Sequence, residues 1–569
     1  MKSSPIARIR IISIFIFIFA ALIIARLYSV QVVSGDVYAN KADRQYLQST
    51  YDYFDRGTIY FSPKEGDIVS AASLKTGYIV AITPKLIVDP EKVFATLSNL
   101  IEISHEDFFT KALKKDDPYE EVAKRVSIEK ANEVEALKIP GVRVFRERWR
   151  FYPGNSLAAH ALGFVAYKDD ELGGRYGLER YYEDTLKRNN ESVYVNFFAE
   201  IFSNIKEGVS GDMSLEGDVV TTIEPSAQVF LEQELQKLND AWESDYSGGI
   251  VMDPVNGEVV ALGLTPTFDP NNLQDQSGSS IFKNHLVESV YEMGSIVKPL
   301  TVAAGLDAEA ITAGSTYYDA GSVTLNGRTF SNFDGKARGQ VSMQEVLNQS
   351  LNTGVAHIVR QMGKNVFADY MRSFGLGAET GIDLPNETHG LIENLNSPRD
   401  IEYATASFGQ GIAITPIETI RALATLGNGG KLINPHIAKK INYKIGGSKE
   451  INPGVEVQVL KPETSEEISR MLVRVVDEAL LNGQVKMERY SIAAKTGTAQ
   501  IAKDDGRGYY DEKYLHSFFG YFPAFEPRFI VFLYTYDPKG VKYASETLTH
   551  PFMDITKFLI NYYQIPPDR

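Results

Sequence analysis

A chain of 569 residues is too long for one compact core, so two or three domains are expected. Its formal charge of -15 at pH 7 argues against nucleic acid or anionic lipid as the partner of the soluble part. There is no cysteine, the eight histidines form no His-Glu-x-x-His pair, and no Gly loop leads into Lys-Ser or Lys-Thr, so no metal, nucleotide or other cofactor is expected.

Lys2, Arg8 and Arg10 precede an apolar run over 11–25 that only Ser13 interrupts, and after Arg26 the chain stays uncharged from 27 to 35. Snorkelling of Arg10 and Arg26 extends this to a membrane anchor at 11–33, behind a cytoplasmic tail at 1–10. The competing reading is a cleaved signal peptide, but the best cleavage site, Val33-Ser34-Gly35, is weak. Basic residues before the span place the N-terminus in the cytoplasm and the remaining residues outside.

From 34 to 216 charged helical runs alternate with short strands, and no nucleophile is clustered there. This region, carried to 235, reads as an elongated α+β pedestal. Glu224-Pro225-Ser226 opens an amphipathic helix through Leu238. From Gly248 a strand, the loop 253–257 and a second strand at 258–264 form a hairpin signal. Helical patterns fill 295–475. Strands return at 490–501, 518–522 and 529–536, the last two joined by a turn at 523–527, and a helix at 551–562 closes the chain. Strands at both ends with helices between predict an α/β sandwich on an antiparallel sheet over 236–569.

Three segments of this second region carry chemistry: Ser295-Ile296-Val297-Lys298, Ser350-Leu351-Asn352 and Lys495-Thr496-Gly497-Thr498. They supply a hydroxyl nucleophile with a lysine one turn away, a second hydroxyl beside an amide, and a cationic strand able to grip a carboxylate. A Ser-x-x-Lys is expected roughly twice by chance in such a chain. It also occurs at Ser127 to Lys130, Ser203 to Lys206 and Ser280 to Lys283, and a second Lys-Thr-Gly stands at Lys75. Ser350-x-Asn352 occurs once and anchors the choice. Pro299 fits a helix only in its first turn, so a helix begins near Ser295, at the end where developing negative charge is favoured. Lys298 shares a face with Ser295, and burial would lower its proton affinity and make it a usable base. Ser127 lies in a charged, solvated stretch, and Ser280 follows a polar run that reads as a mobile loop. Ser342-Met343-Gln344-Glu345 reads as a capping box starting a helix through Leu347, and Thr353-Gly354 opens another, so Ser350 and Asn352 fall at their junction. Gly497 would leave one strand face open to a substrate.

These segments, with Tyr291-Glu292-Met293-Gly294 before the nucleophile, Phe408-Gly409-Gln410-Gly411 and Thr415-Pro416 between the second and third, and Arg56-Gly57-Thr58 and Gly177-Leu178-Glu179 upstream, resemble a class B penicillin-binding protein. The resemblance covers nearly the whole chain, and Asn352, where elongation-type relatives often carry aspartate, tilts it to the division branch. Met293, Ile296 and Glu418 depart mildly from the family's usual residues.

The resemblance implies a single-pass protein of the inner or plasma membrane with a pedestal of dimerisation type at 34–235. Its catalytic domain, at 236–569, would be a D,D-transpeptidase that cross-links peptidoglycan stem peptides. Ser295 would attack the D-Ala-D-Ala carbonyl as Lys298 takes its proton. Backbone N–H groups of Ser295 and Thr498 would hold the oxyanion, worth on the order of 3 kcal/mol per donor. Ser350 would relay the proton, Asn352 would hold the peptide, and Lys495, Thr496 and Thr498 would bind the terminal carboxylate. β-Lactams would be covalent inhibitors and a membrane-embedded SEDS-type glycan polymerase a partner. A β-lactamase is the rival whose deacylating base would be sought at Glu393; a D,D-carboxypeptidase and an idle division scaffold are the others.

Overall fold

The structure, a computed structural model, describes residues 54–168, 171–188, 216–274, 278–452, 454, 456–503 and 508–569, with positions 19 and 23. The expected tail at 1–10 and anchor at 11–33 therefore lie outside the described residues, those two positions excepted, as does the Ser203 to Lys206 copy. Among the described residues no helix is long and apolar enough to cross a membrane. The chain divides into two compact units, the smaller containing residues 74–149 and the larger residues 57–73, 150–187 and 200–569.

In the smaller unit antiparallel strands pair Tyr78 with Val126 and Ile82 with Glu120, and helices Pro90–Ser98, His105–Ala112 and Ile128–Ala136 cover them. Phe108, Leu97, Val134 and Val80 form its core. Ser127 caps the third of these helices by accepting from the Lys130 N–H, so this Ser-x-x-Lys copy is an N-cap and its lysine is incidental. The Lys75-Thr76-Gly77 copy lies in the strand Val69–Ile82.

Among its described residues the larger unit contributes to two larger sheets, besides several two-stranded ones. In the first, Ile59–Phe61 runs parallel to Gly217–Thr221, which pairs antiparallel with Ala438–Tyr443, so that sheet is mixed. The second positions the site. Helix α1 (Pro225–Trp242) is capped by the Glu224 carboxylate on the Ala227 N–H and has proline in its first turn, as its sequence signals predict. Strands β1 (Tyr246–Met252) and β2 (Val259–Thr265) form the expected hairpin. Helices α2 (Lys298–Asp307) and α3 (Asn352–Met362) follow. Strands β3 (Ala493–Ala502), β4 (Tyr509–Phe522) and β5 (Phe529–Tyr536) complete an antiparallel sheet in the order β3-β4-β5-β1-β2, and helix α4 (Thr549–Tyr563) closes the unit.

The period-2 geometry of the strands divides the core between the two sheet faces. Phe518, Val531 and Val251 pack with Leu231 of α1 and Phe552 of α4, whose rings Phe230 and Phe558 stack at 4.2 Å. Their neighbours Phe519, Phe532 and Ile250 pack on the other face with Val302 of α2 and Val355 of α3. Each such side chain contributes about 2–3 kcal/mol by burial.

Two expectations need correction. The helical stretch 295–475 is broken by short strands at Thr316–Asp319, Ser322–Leu325, Arg328–Ser331 and Gly339–Ser342, and again at Lys431–Leu432 and Ala438–Tyr443. These are brief, most of four residues or fewer, too short for an alternation such as Ser322-Val323-Thr324-Leu325 to stand out from its helical surroundings. Strand β4 also begins at Tyr509, well before Phe518, because its first half, Tyr509-Tyr510-Asp511-Glu512-Lys513, extends a hairpin into solvent and carries charge where a core strand would carry apolar residues.

Candidate active site

Ser295 lies in a 3-10 turn, Gly294–Val297, that runs directly into α2, with Pro299 in the helix's first turn. The helix thus starts three residues later than its sequence suggests, and the tighter turn comes first. Lys298 is fully buried at that junction. Its Nζ donates to the Ser350 carbonyl and to Ser350 Oγ, the latter at 3.1 Å. Burial holds this amine well below the usual lysine range, and the nearby charge of Lys495 adds to the effect. A neutral amine has two N–H groups, which these contacts use, and one lone pair left for the Ser295 proton.

Ser350 sits between the helix Met343–Asn348 and α3 with φ +54°, a left-handed conformation that costs a non-glycine residue about 1 kcal/mol or more. That backbone sets its carbonyl and its hydroxyl on one side, both toward Lys298. Ser342 caps the preceding helix through the Glu345 N–H, but the Glu345 carboxylate accepts from Asn348 and Gln349, so the reciprocal half of the expected capping box is not made. Asn352 is the first residue of α3 and donates its side-chain amide to the Ser331 carbonyl at 2.8 Å.

Lys495 is 4% exposed, and burial pushes its ammonium down to about 8. Ser295, Ser350, Asn352, Lys495, Thr496 and Thr498 all line one cleft of about 680 Å³. Gly497 does not face it. A Cβ at Gly497 would stand 2.4 Å from Ser517 Oγ, 2.7 Å from the Met293 carbonyl oxygen and 3.0 Å from Ile296. The open strand face is therefore filled by the turn that carries Ser295, and the glycine serves packing where a substrate approach was expected.

Sequence reasoning missed the parts that hold this turn. Ser517 of β4, fully buried, donates to the Met293 carbonyl at 2.8 Å. Gly294, at φ +63°, donates to Gly409, where a Cβ would lie 2.3 Å from the Gly294 carbonyl oxygen. On the other side a Cβ at Gly294 would meet the Thr498 carbonyl oxygen at 2.8 Å. The Glu292 carboxylate accepts from the Gly411 N–H at 2.9 Å and lies 2.9 and 3.0 Å from the Tyr509 hydroxyl. The Tyr291-Glu292-Met293-Gly294 and Phe408-Gly409-Gln410-Gly411 segments stand out in the sequence, but Ser517 and Tyr509 carry no such signal. Glu418, a departure from the family pattern, completes a reciprocal capping box with Thr415, far from any reacting group in sequence or role.

The Ser280 copy stands in a 3-10 turn, Ser279–Phe282, and does not line the cleft. Glu393 is exposed and absent from the lining as well.

A hydroxyl at the head of a buried-lysine helix, facing a second hydroxyl and a buried cation across one cleft, equips a serine acyltransferase whose base is lysine. The penicillin-binding protein transpeptidase domain matches residues 248–556, and the penicillin-binding protein dimerisation domain matches residues 54–212. The chain belongs to the class B penicillin-binding proteins. It is 31% identical over 506 residues to stage V sporulation protein D of Bacillus subtilis, covering 87% of this chain and 77% of that one. It is 27% identical over 454 residues to the peptidoglycan D,D-transpeptidase FtsI of Escherichia coli K12, covering 79% and 73%. Among solved structures, penicillin-binding protein 3 from Mycobacterium tuberculosis aligns with a TM-score of 0.65 at 24% identity, over 74% of this chain and 92% of that one. Penicillin-binding protein 2X from Streptococcus thermophilus aligns with a TM-score of 0.72 at 19% identity, over 90% and 80%. These two likenesses speak for the fold.

Proposed function

We propose that the chain is a penicillin-sensitive peptidoglycan D,D-transpeptidase acting in cell-wall synthesis at the division septum. The observation that carries the reading is the fully buried Lys298 amine, committed to Ser350, which with Ser295 and Lys495 lines one cleft. Residues 236–569 are the catalytic domain and 34–235 a non-catalytic pedestal of dimerisation type. Residues 11–33 anchor the protein in the inner or plasma membrane, with 1–10 in the cytoplasm and the catalytic domain outside; the basic residues ahead of the apolar run support that topology. A membrane-embedded SEDS-type glycan polymerase is the partner that supplies strands to cross-link. Asn352 and the similarity to an FtsI support the septal branch over the elongation branch.

Lys298 takes the Ser295 proton as the hydroxyl attacks the D-Ala-D-Ala carbonyl, and the N–H groups of Ser295 and Thr498 hold the oxyanion. Ser350, already hydrogen-bonded to Lys298, relays the proton to the leaving amine of D-alanine. Lys495, with Thr496 and Thr498, binds the terminal carboxylate, and Asn352 holds the peptide backbone. An amine of a second stem peptide then attacks the acyl ester and closes the cross-link. Gly497 acts behind the strand and touches no substrate. Penicillins enter as mimics of the donor; the M. tuberculosis relative has been solved with aztreonam and with ampicillin. Among the described residues no Asp or Glu lines the cleft, which leaves no carboxylate to activate a deacylating water and disfavours the β-lactamase reading. Covalent labelling by a fluorescent penicillin tests the reading: Ser295→Ala abolishes it and Ser280→Ala leaves it intact. Labelling that survives Ser295→Ala would refute the assignment.

A further inference from the structure

In a chain of net charge -15, the described lining of the cleft carries three cations, Arg338, Lys495 and Lys542, and no carboxylate. The lining is thus opposite in charge to the protein as a whole, which favours an anionic ligand. The three cations are not equivalent. Lys495 is taken by the terminal carboxylate of the substrate. Arg338 is neutralised where it stands by a bidentate pair with Asp334, at 2.7 and 2.9 Å. Lys542, exposed at the rim, has no carboxylate within ion-pair distance among the described residues.

Its backbone is nonetheless tightly placed. The Lys542 carbonyl accepts from Nε2 of His516, a fully buried ring whose Nδ1 takes the Thr547 hydroxyl at 2.9 Å. Two residues on, the Ala544 N–H donates to Thr498 Oγ1 at 3.1 Å. The rim turn is thus fastened to β3 and β4 at two points, and Lys542 lines the same cleft as Lys495. The setting is apolar on one side. Lys542 Nζ lies 5.6 Å from the Tyr543 ring centre, and Tyr543 meets Phe333 edge-on at 6.0 Å. The ring face of Tyr543 gives the Lys542 chain an apolar surface to lie against at the cleft rim. Because β3 is the edge strand of its sheet, an extended peptide can lie alongside it and send alternate side chains toward the rim.

We propose that Lys542 recognises a second, free carboxylate on the donor stem peptide, upstream of the D-Ala-D-Ala end, so that the enzyme selects carboxylate-bearing donors over amidated ones. This rests on the transpeptidase reading. The test measures second-order acylation of the full-length chain by benzylpenicillin and by its α-carboxy derivative, a pair that differs by one side-chain carboxylate. The ratio of the two rate constants, carboxylated over plain, falls about fivefold in Lys542→Ala and is retained in Lys542→Arg. Lys557→Ala, on an exposed face of α4, leaves the ratio unchanged. In the wild type the ratio also falls as salt is raised. An unchanged ratio in Lys542→Ala, or an equal fall in Lys557→Ala, would overturn the subsite while Ser295 acylation stood. Acylation by neither penicillin in the wild type would overturn the transpeptidase reading and the subsite with it.

Discussion

Replacing Gly497 with alanine builds a methyl group into space already occupied. The Ser517 hydroxyl, 2.4 Å from the new Cβ, can rotate away, but only by giving up its bond to the Met293 carbonyl. The Met293 carbonyl itself is backbone, and it must retreat from 2.7 Å to about 3.4 Å, so the turn carrying Ser295 lifts off β3 by roughly 0.7 Å. Overpacking of this kind costs about 1–3 kcal/mol, seen as a melting temperature lowered by several degrees. A nucleophile misplaced on this scale loses on the order of 10²-fold in rate. Gly497→Ala is therefore expected to lower both thermal stability and the penicillin acylation rate, for small and bulky penicillins alike. Thermal shift and stopped-flow acylation read the two quantities. Unchanged stability with a loss confined to bulky penicillins would refute the packing argument and restore the open-face role.

Gly409→Ala should give a similar pair of losses, since its Cβ would press on the same turn from the opposite side at 2.3 Å, and circular dichroism should show the fold otherwise retained. Lys298→Ala should reduce acylation by about 10²–10⁴-fold, the usual worth of a positioned base. Because burial lowers the Lys298 amine well below the usual lysine range, wild-type acylation should fall as acid protonates it, with the limb displaced below that range, as stopped-flow rates against pH will show. Lys495 should work the other way: as the proposed carboxylate grip it acts while charged, below about 8, so acylation should decline above that value. Lys495→Arg, which cannot lose its proton in this range, should move that alkaline limb upward.

The strands of the catalytic domain are legible in the sequence because β1, β2 and β5 are nearly continuous apolar runs, and α1 announces itself through Glu224 and Pro225. The choice of Ser295 is legible through Pro299, and the burial of Lys298 through the apolar residues that follow it. What holds those groups in register is not. Ser517 and Gly409 are remote in sequence from Gly294 and Gly497, so a glycine whose missing side chain admits a neighbouring turn looks the same as one that admits a substrate. The left-handed backbone of Ser350 has no residue-type signal, because serine rarely adopts it without a fold to impose it. The hairpin half of β4 hides behind charge for the same reason that it is exposed.

Acylation is expected at one atom, the Ser295 hydroxyl oxygen, with Lys298 as its proposed base. Peptide mass spectrometry of the full-length chain after penicillin treatment tests it most directly. A single adduct mapped to Ser295, absent from the Lys298→Ala protein at short reaction times, is the predicted result. An adduct on Ser280 or Ser350, or none on any serine, would contradict it.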